Sequence, residues 1–140
     1  MKMLSRGAAE AAKESRPNVI SIVDDDECAR TAMDGLVRSF GYVSATYASA
    51  EEFLESNLNE TSCLITDVHM PGLTGVELHQ RLLADGFTVP TIFVTALPDE
   101  GMRMRVLAEG AIGFLSKPFD QKSLIDCLNA ALIRRARAVH

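Results

Sequence analysis

The sequence predicts an α/β fold, a doubly wound five-stranded parallel sheet with five flanking helices. Three observations carry that prediction. From Asn18 onward, short β-branched apolar runs alternate with amphipathic helical stretches. The units recur about every 25 residues, too far apart for hairpins and far enough for right-handed parallel crossovers. The first run, Val19-Ile20-Ser21-Ile22-Val23, is almost continuously apolar, as a strand covered on both faces must be.

The elements follow in order. A helix is expected over 26–39, with Ala29, Ala32, Met33, Leu36, Val37 and Phe40 forming an apolar stripe and Gly41 capping its end. Residues 42–47 read as a second strand. Ser49-Ala50-Glu51-Glu52 has the form of a capping box, hydroxyl first and carboxylate three residues on. It opens a helix carrying Phe53 and Leu54. Residues 63–66 read as the third strand. Thr74-Gly75-Val76-Glu77 is a second capping box, followed by Leu78, Leu82 and Leu83 on one face and closed by Gly86. Pro90 introduces a fourth strand over 91–94. A helix over 100–109 stops at Gly110. Its Met102 and Met104 are two apart, so one packs and the other is exposed. Residues 112–115 are a fifth strand. The last helix starts near Asp120, with Leu124, Ile125, Leu128, Ala131 and Leu132 inward. Arg134, Arg135 and Arg137 suit the negative end of its dipole or the start of a linker. Residues 1–16 read as a flexible N-terminal extension and residues 17–138 as one folded domain.

Composition agrees with that organisation. A chain of 140 residues, 47% apolar and 24% charged, suits a single globular domain. A net charge of −5 repels phosphate backbones, so direct binding of nucleic acid is not expected. Cys28, Cys63 and Cys127 are odd in number and lack zinc-type spacing, which fits reduced structural thiols in a cytosolic protein. No apolar run approaches the ~18–20 residues that span a bilayer. The N-terminus has no apolar core of a signal peptide.

Each strand end carries a residue able to do chemistry. The first ends in Asp24-Asp25-Asp26, the third in Asp67, the fourth in Thr95-Ala96 and the fifth in Lys117-Pro118. Ligands of open parallel sheets sit beyond the carboxyl ends of the strands, so these groups meet on one edge. Asp24, Asp25 and Asp67 repel one another there. A hard dication relieves the repulsion, and carboxylate oxygens are ligands that Mg²⁺ takes. With Lys117 added, the pocket suits a dianionic phosphoryl group. Asp67 is the candidate nucleophile, since carboxylates form acyl-phosphates. Met70-Pro71-Gly72-Leu73-Thr74-Gly75 supplies turn residues around it. Thr95 and Lys117 can each meet a phosphoryl oxygen. Singly, each group has a bland explanation: a turn cap, an acidic helix start (preferred for Asp26 and Glu27), a strand threonine, a solvated lysine. Four bland explanations at four matching strand ends are far less economical than one pocket.

Val23-Asp24-Asp25-Asp26-Glu27, Leu64-Ile65-Thr66-Asp67-Val68-His69-Met70-Pro71-Gly72, Phe93-Val94-Thr95-Ala96 and Phe114-Leu115-Ser116-Lys117-Pro118-Phe119 together resemble the response-regulator receiver domain of bacterial two-component systems. The resemblance covers residues 18–136. The wording of Ser49-Ala50-Glu51-Glu52-Phe53-Leu54 and Gly110-Ala111-Ile112-Gly113-Phe114-Leu115 is most similar to the nitrogen-fixation-regulator type. It implies a flavodoxin-like sheet and a transcription regulator that is a cytoplasmic phosphoprotein. Asp67 would take a phosphoryl group from a sensor histidine kinase. Asp25 would ligate Mg²⁺ directly with Asp24 beside it, and His69 would offer its backbone carbonyl. Thr95 and Lys117 would bind phosphoryl oxygens. Phe114 would be the switch aromatic, standing where the family often has tyrosine. The Lys117–Pro118 bond would be cis, an uncommon state. Also implied are a homodimer through the face of the fourth helix, fifth strand and fifth helix, and a C-terminal DNA-binding domain absent from this chain. His69 and Leu97 stand at positions where the family varies and which influence loss of the phosphoryl group by hydrolysis. For the His69 side chain a solvent-facing position is expected.

The implied protein is not a turnover enzyme; its chemistry is limited to its own phosphorylation and dephosphorylation. One alternative is an aspartate-nucleophile phosphatase, which wants a second Asp two residues after the nucleophile, where this chain has His69. A nucleotide- or flavin-binding module lacks its glycine-rich loop here. A phosphorylation-independent docking receiver is disfavoured by the complete set Asp24, Asp25, Asp67, Thr95 and Lys117.

Overall fold

The computed structural model describes residues 17–139, and the expectation for 1–16 lies outside the described residues. The strands are β1 Val19–Val23, β2 Val43–Tyr47, β3 Cys63–Asp67, β4 Thr91–Thr95 and β5 Gly113–Ser116. The helices are α1 Glu27–Ser39, α2 Ala50–Leu54, α3 Gly75–Ala84, α4 Glu100–Ala108 and α5 Gln121–Val139. A 3₁₀ turn, Leu58–Glu60, precedes β3. The sheet is parallel throughout, in the order β2-β1-β3-β4-β5. The chain steps from β1 outward to β2, then crosses to β3 on the other side. That reversal opens a crevice above the ends of β1 and β3.

The near-continuous apolar strands are explained by cover on both faces. Ile20, Ile22, Ile65, Ile92 and Val94 pack with Met33, Val37, Leu124 and Leu128, which places α1 and α5 on one side. Val23 and Leu64 pack with Phe53, Leu78 and Leu82 of α2 and α3 on the other. Phe93 packs with Val76 and Val106, which brings α4 onto that side as well.

Capping chemistry sets the helix starts. Asp26 caps α1 by accepting from the Ala29 N–H, and Thr74 with Glu77 forms a complete capping box. At α2 the box is only half formed. Ser49 Oγ accepts from the Glu52 N–H at 3.0 Å, but the Glu52 carboxylate reaches back to the Ala48 N–H instead. Gly41, Gly86 and Gly110 follow their helices at φ of +92°, +85° and +102°, which supplies the predicted stops.

Other expectations change in the packing. Leu83 is 39% exposed, because it turns about 100° beyond Leu82 and out of the contact. His79 takes the buried place, packed edge-to-face on Phe93 at 5.4 Å. Arg134 and Arg135 also donate to Gly110 O and Thr61 O, tying α5 to the turns before β5 and β3. Met102 packs against the core and Met104 is exposed, as their spacing requires. All three cysteines are free, but Cys28 is exposed, so only Cys63 and Cys127 fit the structural reading. Burial pushes the Cys63 thiol up to about 12. Among the described residues, no helix is long and apolar enough to cross a membrane.

Candidate functional site

Strand register puts the predicted groups at one level. Val23 pairs with Thr66, so Asp24 follows β1 beside Asp67, the last residue of β3. Asp67 pairs with Val94, and Thr95 with Ser116. The Lys117 N–H then donates to Thr95 O at 2.8 Å, and the Lys117–Pro118 peptide is cis.

The side chains converge as expected. Lys117 Nζ lies 3.3 Å from Asp24 Oδ2 and 3.7 Å from Asp67 Oδ2. Carboxylate oxygens of Asp24, Asp25 and Asp67 lie within 4.8 Å of one another. Asp24 is 7% exposed, and its other oxygen accepts from the Asp26 N–H at 2.9 Å. Asp25 is exposed, with one carboxylate oxygen already within 4.8 Å of those of Asp24 and Asp67. Asp67 is partly buried and accepts from the His69 N–H at 3.4 Å. The His69 side chain faces solvent.

The electrostatics of this pocket suit a cation. Burial raises the Asp67 carboxyl above its ordinary range, and the Asp24 charge adds to that; Lys117 and the N–H groups of His69 and Val68 pull it back. Three carboxylates against one ammonium leave two negative charges uncompensated. The donors are all hard oxygens, so the residues present fit Mg²⁺ rather than a thiophilic metal.

Two predicted residues stand outside this cluster. Thr95 is fully buried, and its hydroxyl accepts from the Leu97 N–H at 3.0 Å, closing the loop after β4 on itself. Phe114 is partly buried beside Phe93 and packs with the Val68, Val76 and Val106 cluster. Both lie where movement of the β4–α4 loop would be felt.

Three supporting residues were not singled out by sequence. Arg30 Nη1 donates to the Asp24 carbonyl at 2.8 Å and fixes the turn that presents Asp24 and Asp25. Glu51 reaches across from α2 to accept from the Leu73 N–H at 3.2 Å, clamping the loop after Asp67. A Cβ at Gly75 would stand 2.1 Å from the Asp67 carbonyl oxygen, so only glycine lets α3 begin there. Glu51 lay inside a recognised capping string, but helix periodicity says nothing about a partner 22 residues away. Arg30 had no signal beyond its place on α1.

A family model described as the response regulator receiver domain matches residues 20–129. Nodulation protein W of Bradyrhizobium diazoefficiens is 36% identical over 130 residues, covering 92% of this chain and 57% of that protein. Transcriptional regulatory protein FixJ of Azorhizobium caulinodans is 35% identical over 124 residues, covering 88% of this chain and 58% of that protein. The chain thus spans a little over half the length of these relatives. Among solved structures, chemotaxis protein CheY4 of Vibrio cholerae superposes with a TM-score of 0.74 at 26% identity, covering 84% of this chain and all of that one. With the sheet order, the strand-end carboxylates and Lys117 in place, these likenesses agree: the chain belongs to the response regulator receiver domain family, with the flavodoxin-like fold.

Proposed function

We propose that Asp67 is the phosphoacceptor, with Mg²⁺ held by Asp24, Asp25, Asp67 and the His69 backbone carbonyl, and with a sensor histidine kinase as donor. Receiver domains signal by phosphorylation. The observation that carries the residue assignment is the meeting of three carboxylates within 4.8 Å, with Lys117 3.3 Å and 3.7 Å from two of them.

An Asp67 carboxylate oxygen attacks the phosphorus of the donor phosphohistidine. The N–P bond breaks, its electron pair stays on the imidazole, and an acyl-phosphate forms. Mg²⁺, when bound, neutralises charge on the phosphoryl oxygens. Lys117 pairs with another oxygen, exchanging its contact to Asp67 for one to the phosphate. Arg30 and Glu51 hold the two loops that present the carboxylates, which limits reorganisation during transfer.

The added charge and acceptor oxygens then compete for the Thr95 hydroxyl. Thr95 turns toward the phosphoryl group as the β4–α4 loop moves with it. Phe114 fills the space released, and the α4–β5–α5 face changes shape for a partner. The exposed Met104 on α4 supports that face as a dimer surface. We place the receiver domain at 17–138 in a cytoplasmic protein, and infer from the greater length of the relatives that the whole protein carries a C-terminal DNA-binding domain. Its chemistry is limited to gaining and losing its own phosphoryl group.

Incubation with acetyl phosphate tests this reading. The expected result is one phosphoryl group per chain with Mg²⁺ present and none with EDTA. Wild-type protein left unlabelled in Mg²⁺ would overturn it.

A further inference from the structure

Phosphoryl acceptance leaves one feature of this edge without a use. A cavity of about 200 Å³ runs from Asp24, Asp67 and Lys117 down between α1 and the sheet. Its lining takes Ile22 and Val94 from the sheet, Ala29 and Ala32 from α1, and Phe119 after β5, and it opens to solvent beside the exposed Ala32. The opening has a sequence cause. α1 lines the cavity with Ala29, Ala32, Met33 and Leu36, and the two alanines keep side-chain volume low over part of that wall. An apolar cavity of about 150 Å³ is enough to hold benzene in another protein, so one aromatic ring fits here with room for a short arm. Charge at the mouth selects the end of that arm. Asp24 and Asp67 line it against the single Lys117, and an Asp25 oxygen lies within 4.8 Å of theirs, which favours a cation and repels a carboxylate. A hydrated inorganic ion satisfies the mouth but leaves the apolar walls uncovered.

We propose that this cavity binds a small aromatic amine: one ring on a short alkyl chain ending in ammonium. The ring lies against Ala29, Ala32 and Phe119, and the ammonium sits among the carboxylates. It takes the position that a dication needs, so amine and Mg²⁺ exclude each other. Binding depends only on the cavity and its charges. Its consequence, retention of the unphosphorylated state, rests on the function proposed above.

Phenethylamine is the probe, titrated into ¹⁵N-labelled protein and followed by amide shifts, with phenylacetate as the anionic counterpart. The expected result is saturable shifts at Ile22, Ala32, Val94 and Phe119 with the amine and none there with the acid. Free Mg²⁺ at about ten times its own Kd raises the apparent Kd of the amine about elevenfold, as mutually exclusive binding requires. Ala32→Leu fills the cavity and abolishes the shifts, while a Mg²⁺ titration of the same variant reports whether its fold and carboxylates persist. The competition in wild-type protein stands whether or not that variant folds. Equal binding of phenylacetate, insensitivity to Mg²⁺, or absence of saturable shifts at these residues would each overturn the proposal. Mg²⁺-dependent phosphoryl labelling by acetyl phosphate, run without amine, tests the phosphoacceptor reading separately.

Discussion

Removing the Asp67 charge should stabilise the metal-free protein. Asp67→Asn keeps the shape of the side chain and deletes one of three crowded carboxylates. At an effective dielectric of 20, a carboxylate at the 4.8 Å limit repels Asp67 by about 3.5 kcal/mol and Lys117 at 3.7 Å attracts it by about 4.5 kcal/mol, so the neighbouring charges largely offset and burial of the carboxylate decides the sign. Solvent around the pocket discounts these figures, so about 1–2.5 kcal/mol is expected. For a domain of this size that is a rise of about 4–10 °C in Tm. The pH dependence has a definite sign. The Asp67 carboxyl titrates above its ordinary range in the folded state, so wild-type stability is lost as pH rises through the folded value. The advantage of Asp67→Asn is therefore full at neutral pH and vanishes in acid, where Asp67 is protonated. The assay is a circular-dichroism melt at several pH values in EDTA. A variant no more stable than wild type at pH 7 in EDTA, or an advantage that persists unchanged in acid, refutes this electrostatic reasoning.

Other perturbations follow from the same geometry. Mg²⁺ at about one hundred times its Kd should stabilise wild-type protein by about 2.7 kcal/mol, with a smaller gain in Asp67→Asn, measured by melts with and without metal. Gly75→Ala places a Cβ against the Asp67 carbonyl, costs about 1–3 kcal/mol or more, and should remove Mg²⁺-dependent labelling; denaturant unfolding and acetyl phosphate incubation check the two parts. Burial holds the His79 imidazole below its ordinary 6.5, so stability present above that pH is lost as the solution is acidified toward the folded value. His79→Leu should flatten that acid limb in pH-dependent melts. The Cys63 thiol, pushed up to about 12, stays unreactive toward a thiol reagent at neutral pH while exposed Cys28 reacts at once; peptide mapping after brief alkylation separates them.

What the sequence made legible depended on the range of the physics involved. Strands and helices were readable because β-branched runs, caps and terminal glycines act within a few residues: Thr74 with Glu77, and Gly41 after α1, behave as their spacing requires. The carboxylate pocket was readable because parallel topology gathers strand ends, which turns four distant motifs into one prediction. Contacts set by tertiary packing were not. Glu52 pairs with Ala48 instead of Ser49, Leu83 swings outward where His79 packs on Phe93, and Arg134 and Arg135 spend their donors on distant carbonyls. No local pattern encodes a guanidinium that meets a backbone oxygen 74 residues away. The same holds for Thr95. Its type and place were clear, but its bond to the Leu97 N–H needed the loop conformation.

The most direct test of the phosphoacceptor assignment is chemical trapping at residue 67. Protein treated with acetyl phosphate and Mg²⁺ is reduced with borohydride, which converts an aspartyl phosphate to homoserine, and is then mapped by peptide mass spectrometry. Homoserine at position 67, dependent on Mg²⁺ and missing from EDTA-treated protein, is the predicted result. Homoserine at another aspartate, or unmodified Asp67 in protein that carries the phosphoryl group, would contradict it.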